Sequence, residues 1–155
     1  MKGMEIERKF LLKNLPADLS SYPHKELEQG YLSTDPVVRV RKEGEDYILT
    51  YKSSGLLSRR EENLPLTEES YTHLIAKADG YVITKTRYYI PYGTHTIELD
   101  IFHGDLSALQ LAEVEFDSED AAKAFTPPDW FGEDVTYETT YHNSTLSQHG
   151  LTAQS

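Results

Sequence analysis

Charges of one sign recur two positions apart at several places in this chain. Arg39 and Arg41 alternate with Val38 and Val40, and Lys85 and Arg87 alternate with Thr84, Thr86 and Tyr88. Glu98 and Asp100 alternate with Ile97, Leu99 and Ile101, and Glu113 and Glu115 with Ala112, Val114 and Phe116. Near the N-terminus, Glu5, Glu7 and Lys9 alternate with Met4, Ile6, Arg8 and Phe10, and Lys52 stands between Tyr51 and Ser53. Residues i and i+2 share one face of a β-strand, so each set is a row of charge on one side. Rows of lysine and arginine grip phosphate oxygens. Rows of carboxylates hold hard divalent cations through oxygen. Together they suit a polyanion handled with metal ions.

The plain alternative is that these are solvated outer faces, because an antiparallel sheet with one wet side shows the same alternation. The sorting by sign argues against it. Like charges side by side repel, and rows of one sign make sense when each faces an opposite row across a cavity. Lys9, Arg39, Arg41, Lys52, Lys85 and Arg87 set six positive charges against the six carboxylates Glu5, Glu7, Glu98, Asp100, Glu113 and Glu115. Such a lining is nearly balanced and leaves the excess acid outside. It also inverts an ordinary core and is costly without water and ligand inside. The hydrophobic core is then expected between the outer face of the sheet and helices packed on it.

The elements that would present these rows are mostly strands. Eleven Tyr and many Val, Ile and Thr suit pleated surfaces. Strands are expected at 5–12, 29–33, 37–43, 46–53, 59–64, 82–91, 95–102, 111–116 and 135–139, with hairpin turns at Glu43-Gly44-Glu45-Asp46 and Tyr92-Gly93-Thr94. Thr67 is placed to cap a helix over 68–78, with Leu66 and Tyr71 spaced as a hydrophobic staple. Ser118 caps a second helix over 119–125, stopped by Pro127-Pro128, and a third is expected over 144–149 before Gly150. Strands outnumber helices and join through short turns. That predicts a β-rich α+β fold, an antiparallel sheet closed into a barrel with helices outside. One domain over 1–150 is expected, with a loose tail at 151–155.

Composition narrows the function classes. The chain has 155 residues, no cysteine and a net charge of −11. No disulfide scaffold or thiolate site is possible. An acidic balance is wrong for wrapping a nucleic-acid backbone, so no nucleic-acid partner is expected. No apolar run is long enough to cross a bilayer, and the charged N-terminus lacks the apolar stretch of a signal peptide, so a cytoplasmic protein with no membrane partner is expected. No Walker-type glycine loop occurs. The histidines show no ligand-like spacing, and Asn143-Ser144-Thr145 is read as a chance glycosylation match.

The ordered set of charged strands resembles the CYTH family, the triphosphate tunnel metalloenzymes. Glu5-Ile6-Glu7-Arg8-Lys9 matches its Glu-x-Glu-x-Lys signature; Arg39/Arg41, Lys52, Arg60-Glu61-Glu62, Lys85/Arg87, Glu98/Asp100 and Glu113/Glu115 match its later strands, and Tyr141-His142-Asn143 its closing segment. The resemblance implies an eight-stranded antiparallel β tunnel that hydrolyses a triphosphate with Mg²⁺ or Mn²⁺, inorganic tripolyphosphate above all for so short a chain. A thiamine triphosphatase, a class IV adenylate cyclase and a polyphosphate- or nucleotide-binding module are the alternatives, and a homodimer is compatible with the family. Carried over, Lys9, Arg39, Arg41, Lys52, Lys85 and Arg87 bind the triphosphate, and Glu5, Glu7, Glu98, Asp100, Glu113 and Glu115 hold metal or orient water. Lys9, Lys85, Arg87 and Glu62 are the catalytic candidates. Glu61 and Glu62 point to opposite faces of their strand; Glu62, in phase with Arg60, is the one expected to face inward.

Overall fold

A computed structural model describes residues 4–55 and 57–150; the tail expected to be loose lies outside them. The strands are β1 (Met4–Leu12), β2 (His24–Thr34), β3 (Val37–Glu43), β4 (Asp46–Lys52), β5 (Ser58–Pro65), β6 (Asp79–Tyr92), β7 (His95–Phe102), β8 (Gln110–Glu115) and β9 (Phe131–Asp134). They pair in the order β5-β4-β3-β2-β6-β7-β8-β1-β9, and β1 also pairs with β5. That closes eight antiparallel strands into a barrel, with β9 as an extra ribbon on β1. β1 serves both neighbours in turn. Met4–Ile6 pair with Ser58–Arg60, and Glu7–Phe10 pair with Ala112–Glu115.

Three helices sit against this barrel: α1 (Glu68–Ile75), α2 (Glu119–Ala124) and α3 (Asn143–His149). Thr67 caps α1 in a reciprocal box: Ser70 N donates to Thr67 Oγ1 at 3.1 Å and Thr67 N to Ser70 Oγ at 2.9 Å. The helix stops at Ile75 rather than Ala78 and lies directly over Gly30 of β2. A side chain at Gly30 would meet Ile75 and Ala78 at 2.7 Å. Ser118 caps α2 as expected, its Oγ accepting from Ala121 N. Arg8, on the outer face of β1, closes the other end of α2 by donating to Ala122 O at 2.9 Å and pairs with Asp134 at 2.8 Å.

The hydrophobic core is divided, and only half of it lies where the sequence suggests. Phe10, Ile97, Leu99, Ala112 and Val114 point outward and pack under α2 with Phe116, Phe125 and Phe131. The second cluster is Ile83, Phe102, Leu106, Leu109, Leu111, Val135 and Leu146. Ile83 is in phase with Lys85 and Arg87, Phe102 with Glu98 and Asp100, and Leu111 with Glu113 and Glu115. These three therefore belong to the inner face. The charged rows give way to apolar side chains at one end of the barrel, and Leu146 of α3, fully buried, packs against them. That end is filled, not open.

The expected strand at 135–139 is displaced to Phe131–Asp134. Val135 N still reaches Lys9 O at 2.8 Å, but Lys9 N donates to the Thr136 side chain (3.0 Å), which ends the ladder. The start is pulled back by Phe131, whose ring packs against Phe10 and Trp130. β2 begins five residues earlier than expected, because His24–Glu28 pair with β6 although their charges hide the alternation.

Candidate active site

The barrel holds a cavity of about 230 Å³. Its lining is supplied by alternate residues of successive strands: Glu5, Glu7 and Lys9 of β1; Arg39, Arg41 and Glu43 of β3; Thr50 and Lys52 of β4; Arg59, Glu61 and Asn63 of β5; Arg87, Glu98, Glu113 and Glu115 of β6 to β8. Tyr31, Val37, Ile48, His142, Asn143 and Ser144 complete it. Side chains of both signs thus line one cavity.

The carboxylates of β1 have opposite characters. Burial alone would raise the Glu5 pKa, but Lys52 Nζ at 2.6 Å and Arg59 Nε at 2.9 Å hold it down at about 2. Glu7 goes the other way: burial, then Glu113, then Glu5 push it well above the carboxylate range. Glu113 is buried too, yet Lys9, Arg87, Lys85 and a hydrogen bond with Glu7 keep it well below. The two neighbouring carboxylates are thus pushed in opposite directions, Glu7 up and Glu113 down. At the rim, burial raises Glu115 to about 7, helped by Glu61, Glu5 and Glu98. Burial raises Glu98 as well, with Glu113 and Asp100 adding to it against Arg87.

The cations are braced individually. Arg87 makes a fork with Asp100, Nε–Oδ1 at 2.7 Å and Nη2–Oδ2 at 2.9 Å, and reaches Glu98 at 3.3 Å. Arg41 donates through Nε to Gln29 Oε1 at 2.7 Å and pairs with Glu43 at 3.5 Å; burial and then its neighbours Arg39 and Arg87 lower it to about 10. Arg39 donates to Thr50 at 3.2 Å, and its Nε is buried without a hydrogen-bond partner. Lys9 lies 3.7 Å from Glu113.

Three sequence expectations change. Glu62 points outward and pairs with exposed Arg60, while Glu61 lines the cavity 3.6 Å from Lys52. The register decides this: inward Lys52 and Thr50 stand opposite Glu61 and Asn63. Lys85 and Asp100 have the expected strand phase but are fully buried behind the lining, 2.8 Å apart. Burial drives Lys85 down to about 7 against the pull of Asp100. Asp100 is committed to Lys85 and Arg87 rather than left open for a metal.

Arg59, Glu43, His142 and Asn143 were missed. Arg59 and Glu43 each lie two residues from an inward charge in the observed register, so the alternation contained them. The 142–144 segment enters from outside the strands and carries no periodic signal.

Divalent-metal chemistry requires hard oxygen donors. Among the described residues no cluster of three His, Cys, Asp or Glu forms a ready-made metal site. Glu7 and Glu113 nevertheless lie together in the lining, where Glu113 raises the pKa of Glu7 and a cation would relieve their repulsion. These carboxylates are hard oxygen donors of the kind a divalent cation takes.

The chain is similar to known proteins along most of its length. A family model described as the CYTH domain matches residues 3–148. The chain is 46% identical to an inorganic triphosphatase of Nitrosomonas europaea over 149 residues, 92% of this chain and 96% of that one. It is 36% identical to an inorganic triphosphatase of Acetivibrio thermocellus, covering 93% of each. A crystal structure of an inorganic triphosphatase superposes with a TM-score of 0.68 at 41% identity, covering 92% of this chain and 93% of that one. With a matched family model over nearly its whole length, the chain belongs to the CYTH domain family.

Proposed function

We propose that this protein is a divalent-metal-dependent triphosphatase that hydrolyses inorganic tripolyphosphate to pyrophosphate and phosphate. The observation that carries the reading is the cavity, where the cations of β3 to β6 face the carboxylates of β1, β7 and β8. The identity to named inorganic triphosphatases supports the choice of substrate.

Phosphoryl transfer depends on positioning and charge neutralisation more than on covalent chemistry. Arg39, Arg41, Lys52, Arg59 and Arg87 bind the phosphate oxygens and hold the chain in line, with Lys9 beside Glu113. Arg39, whose Nε lacks a partner, has donor capacity to spare. Glu7 and Glu113, with Glu5 and Glu115 nearby, are the residues to hold the metal. A bound divalent ion would neutralise charge on the phosphates and acidify a water. With a cation held there, Glu7 would be favoured in its ionised form, and a carboxylate of the same row would accept the proton of the attacking water. Lys85 and Asp100 act from behind, as the anchor that aims Arg87.

A second reading, an organic triphosphate, draws on a hollow beside the rim. Tyr92, His95, Phe116 and Phe125 line it, and it shares Glu98 and Glu115 with the cavity. One assay separates the two: phosphate release from tripolyphosphate, pyrophosphate, ATP and thiamine triphosphate, each with Mg²⁺, Mn²⁺ or EDTA. Metal-dependent release from tripolyphosphate alone is expected. Preferential turnover of an organic triphosphate, or conversion of ATP to a cyclic nucleotide, would move the protein to the second reading. No reaction at all would leave a binding module.

A further inference from the structure

Hydrogen bonds and an ion pair connect two of the cavity's arginines through Gln29, Asn143, Lys85 and Asp100, of which Asn143 alone also lines the cavity. Arg41 Nε donates to Gln29 Oε1 at 2.7 Å. Gln29 Nε2 donates to Asn143 Oδ1 at 3.1 Å, and Lys85 Nζ donates to the same oxygen at 3.0 Å. Lys85 then contacts Asp100 at 2.8 Å, and Asp100 holds the fork of Arg87. Gln29, Lys85 and Asp100 are each wholly inaccessible to solvent.

The direction of every bond is forced. A guanidinium only donates, so the Gln29 oxygen must face Arg41 and its nitrogen must face Asn143. Asn143 must therefore present its oxygen, which also receives the Lys85 ammonium. Neither amide can flip without placing two donors or two acceptors face to face. A fully satisfied buried network of this kind has a single arrangement. Asn143 is the first residue of α3, so the helix that fills the end of the barrel also supplies the central acceptor.

We infer that Gln29 and Asn143 are positioning residues, which tie Arg41 on β3 to Arg87 on β6 and hold the two guanidiniums at a fixed separation for the phosphate chain. The inference rests on the proposed function for its substrate and on the geometry alone for the linkage. Arginines fixed before binding need no ordering when the substrate arrives, and such preorganisation contributes directly to affinity.

The test is a double-mutant cycle on tripolyphosphate hydrolysis at saturating Mg²⁺, with Gln29→Met, Asn143→Ala and the pair combined. Each single variant is expected to lower kcat/KM about tenfold, mainly through KM, because a mispositioned binding group costs roughly one to two orders of magnitude. The double variant should be no worse than the worse single, since both break one chain. Losses that multiply, or single variants with wild-type constants, would overturn the linkage. Gln29→Glu sharpens the test. It keeps an acceptor for Arg41 but sets an oxygen against Asn143, so it should not rescue the Gln29→Met defect; full rescue would mean that Gln29 serves Arg41 alone. A readout independent of turnover is solvent exchange of the Arg41 Nε–H, followed by NMR. It should accelerate in Asn143→Ala, which does not touch Arg41; unchanged protection overturns the inference. A wild-type protein inactive on tripolyphosphate would instead overturn the proposed substrate, and the exchange measurement would still decide the linkage.

Discussion

Glu7 and Glu113 bring two carboxylates together in the cavity lining where a divalent cation is proposed to be held. Replacing Glu113 by Gln removes one of the two carboxylates proposed to hold the metal. Glu113→Gln is therefore expected to lower turnover at least a hundredfold and to raise the Mg²⁺ concentration needed for half-maximal rate, read from metal titrations of the initial velocity. Glu61 and Glu62 give a cleaner contrast. Glu61→Gln should lower kcat/KM about tenfold, because Lys52 loses an inward partner, whereas Glu62→Gln, on the outer surface, should stay near wild type. The opposite order in a side-by-side assay would mean that the β5 register is wrong.

Glu115 provides a pH test. Its pKa is raised to about 7, so it binds a proton more tightly folded than unfolded. Its favourable contribution is complete below its ordinary pKa near 4.5 and is lost as the pH rises through 7. Without metal, Glu115→Gln should match wild type in thermal melts at pH 4.5 and melt higher than wild type at pH 8. Equal melting temperatures at both values would show that neither burial nor the neighbouring carboxylates raise Glu115.

At the scale of elements, α1 and α3 depend on close approach. Gly30→Ala places a methyl group 2.7 Å from Ile75 and Ala78, an overpacking expected to cost about 1–3 kcal/mol in chemical denaturation. Gly80, at φ 65°, lies against the backbone of Ser147 in α3, where a side chain would collide. The inner faces of β1, β3, β4, β6, β7 and β8 were legible because period two survives wherever a strand is half-buried. Legibility failed where pairing overrode local pattern. Charge on both faces of β5 left its phase undetermined until β4 and β1 set the register. The last strand was displaced by the packing of Phe131, a tertiary effect that propensity does not contain. The apolar inner end was hidden for a related reason: Ile83, Phe102 and Leu111 look the same in sequence whichever side of the barrel they face. Asn143 looked like an accidental sugar-acceptor motif because its partners Gln29 and Lys85 are distant in the chain.

For the whole molecule, six cations and seven carboxylates line the cavity, so nearly all of the net −11 is carried elsewhere. A polyphosphate approaching from a distance meets an acidic body and is attracted only near the opening. Long duplexes, which cannot enter, should not be retained in a filter-binding assay at physiological salt, and retention would show that the interior cations reach the surface. No helix among the described residues is long and apolar enough to cross a membrane.

The apolar packing of Ile83, Phe102, Leu111 and Leu146 has a kinetic corollary. A barrel stoppered at one end is a blind alley, and traffic in it is single file. Whichever product lies deeper must wait for the shallower one to depart, so release follows a compulsory sequence. The inner product alone should then inhibit competitively against tripolyphosphate, while the outer one, released first, should trap the enzyme with the inner product still bound.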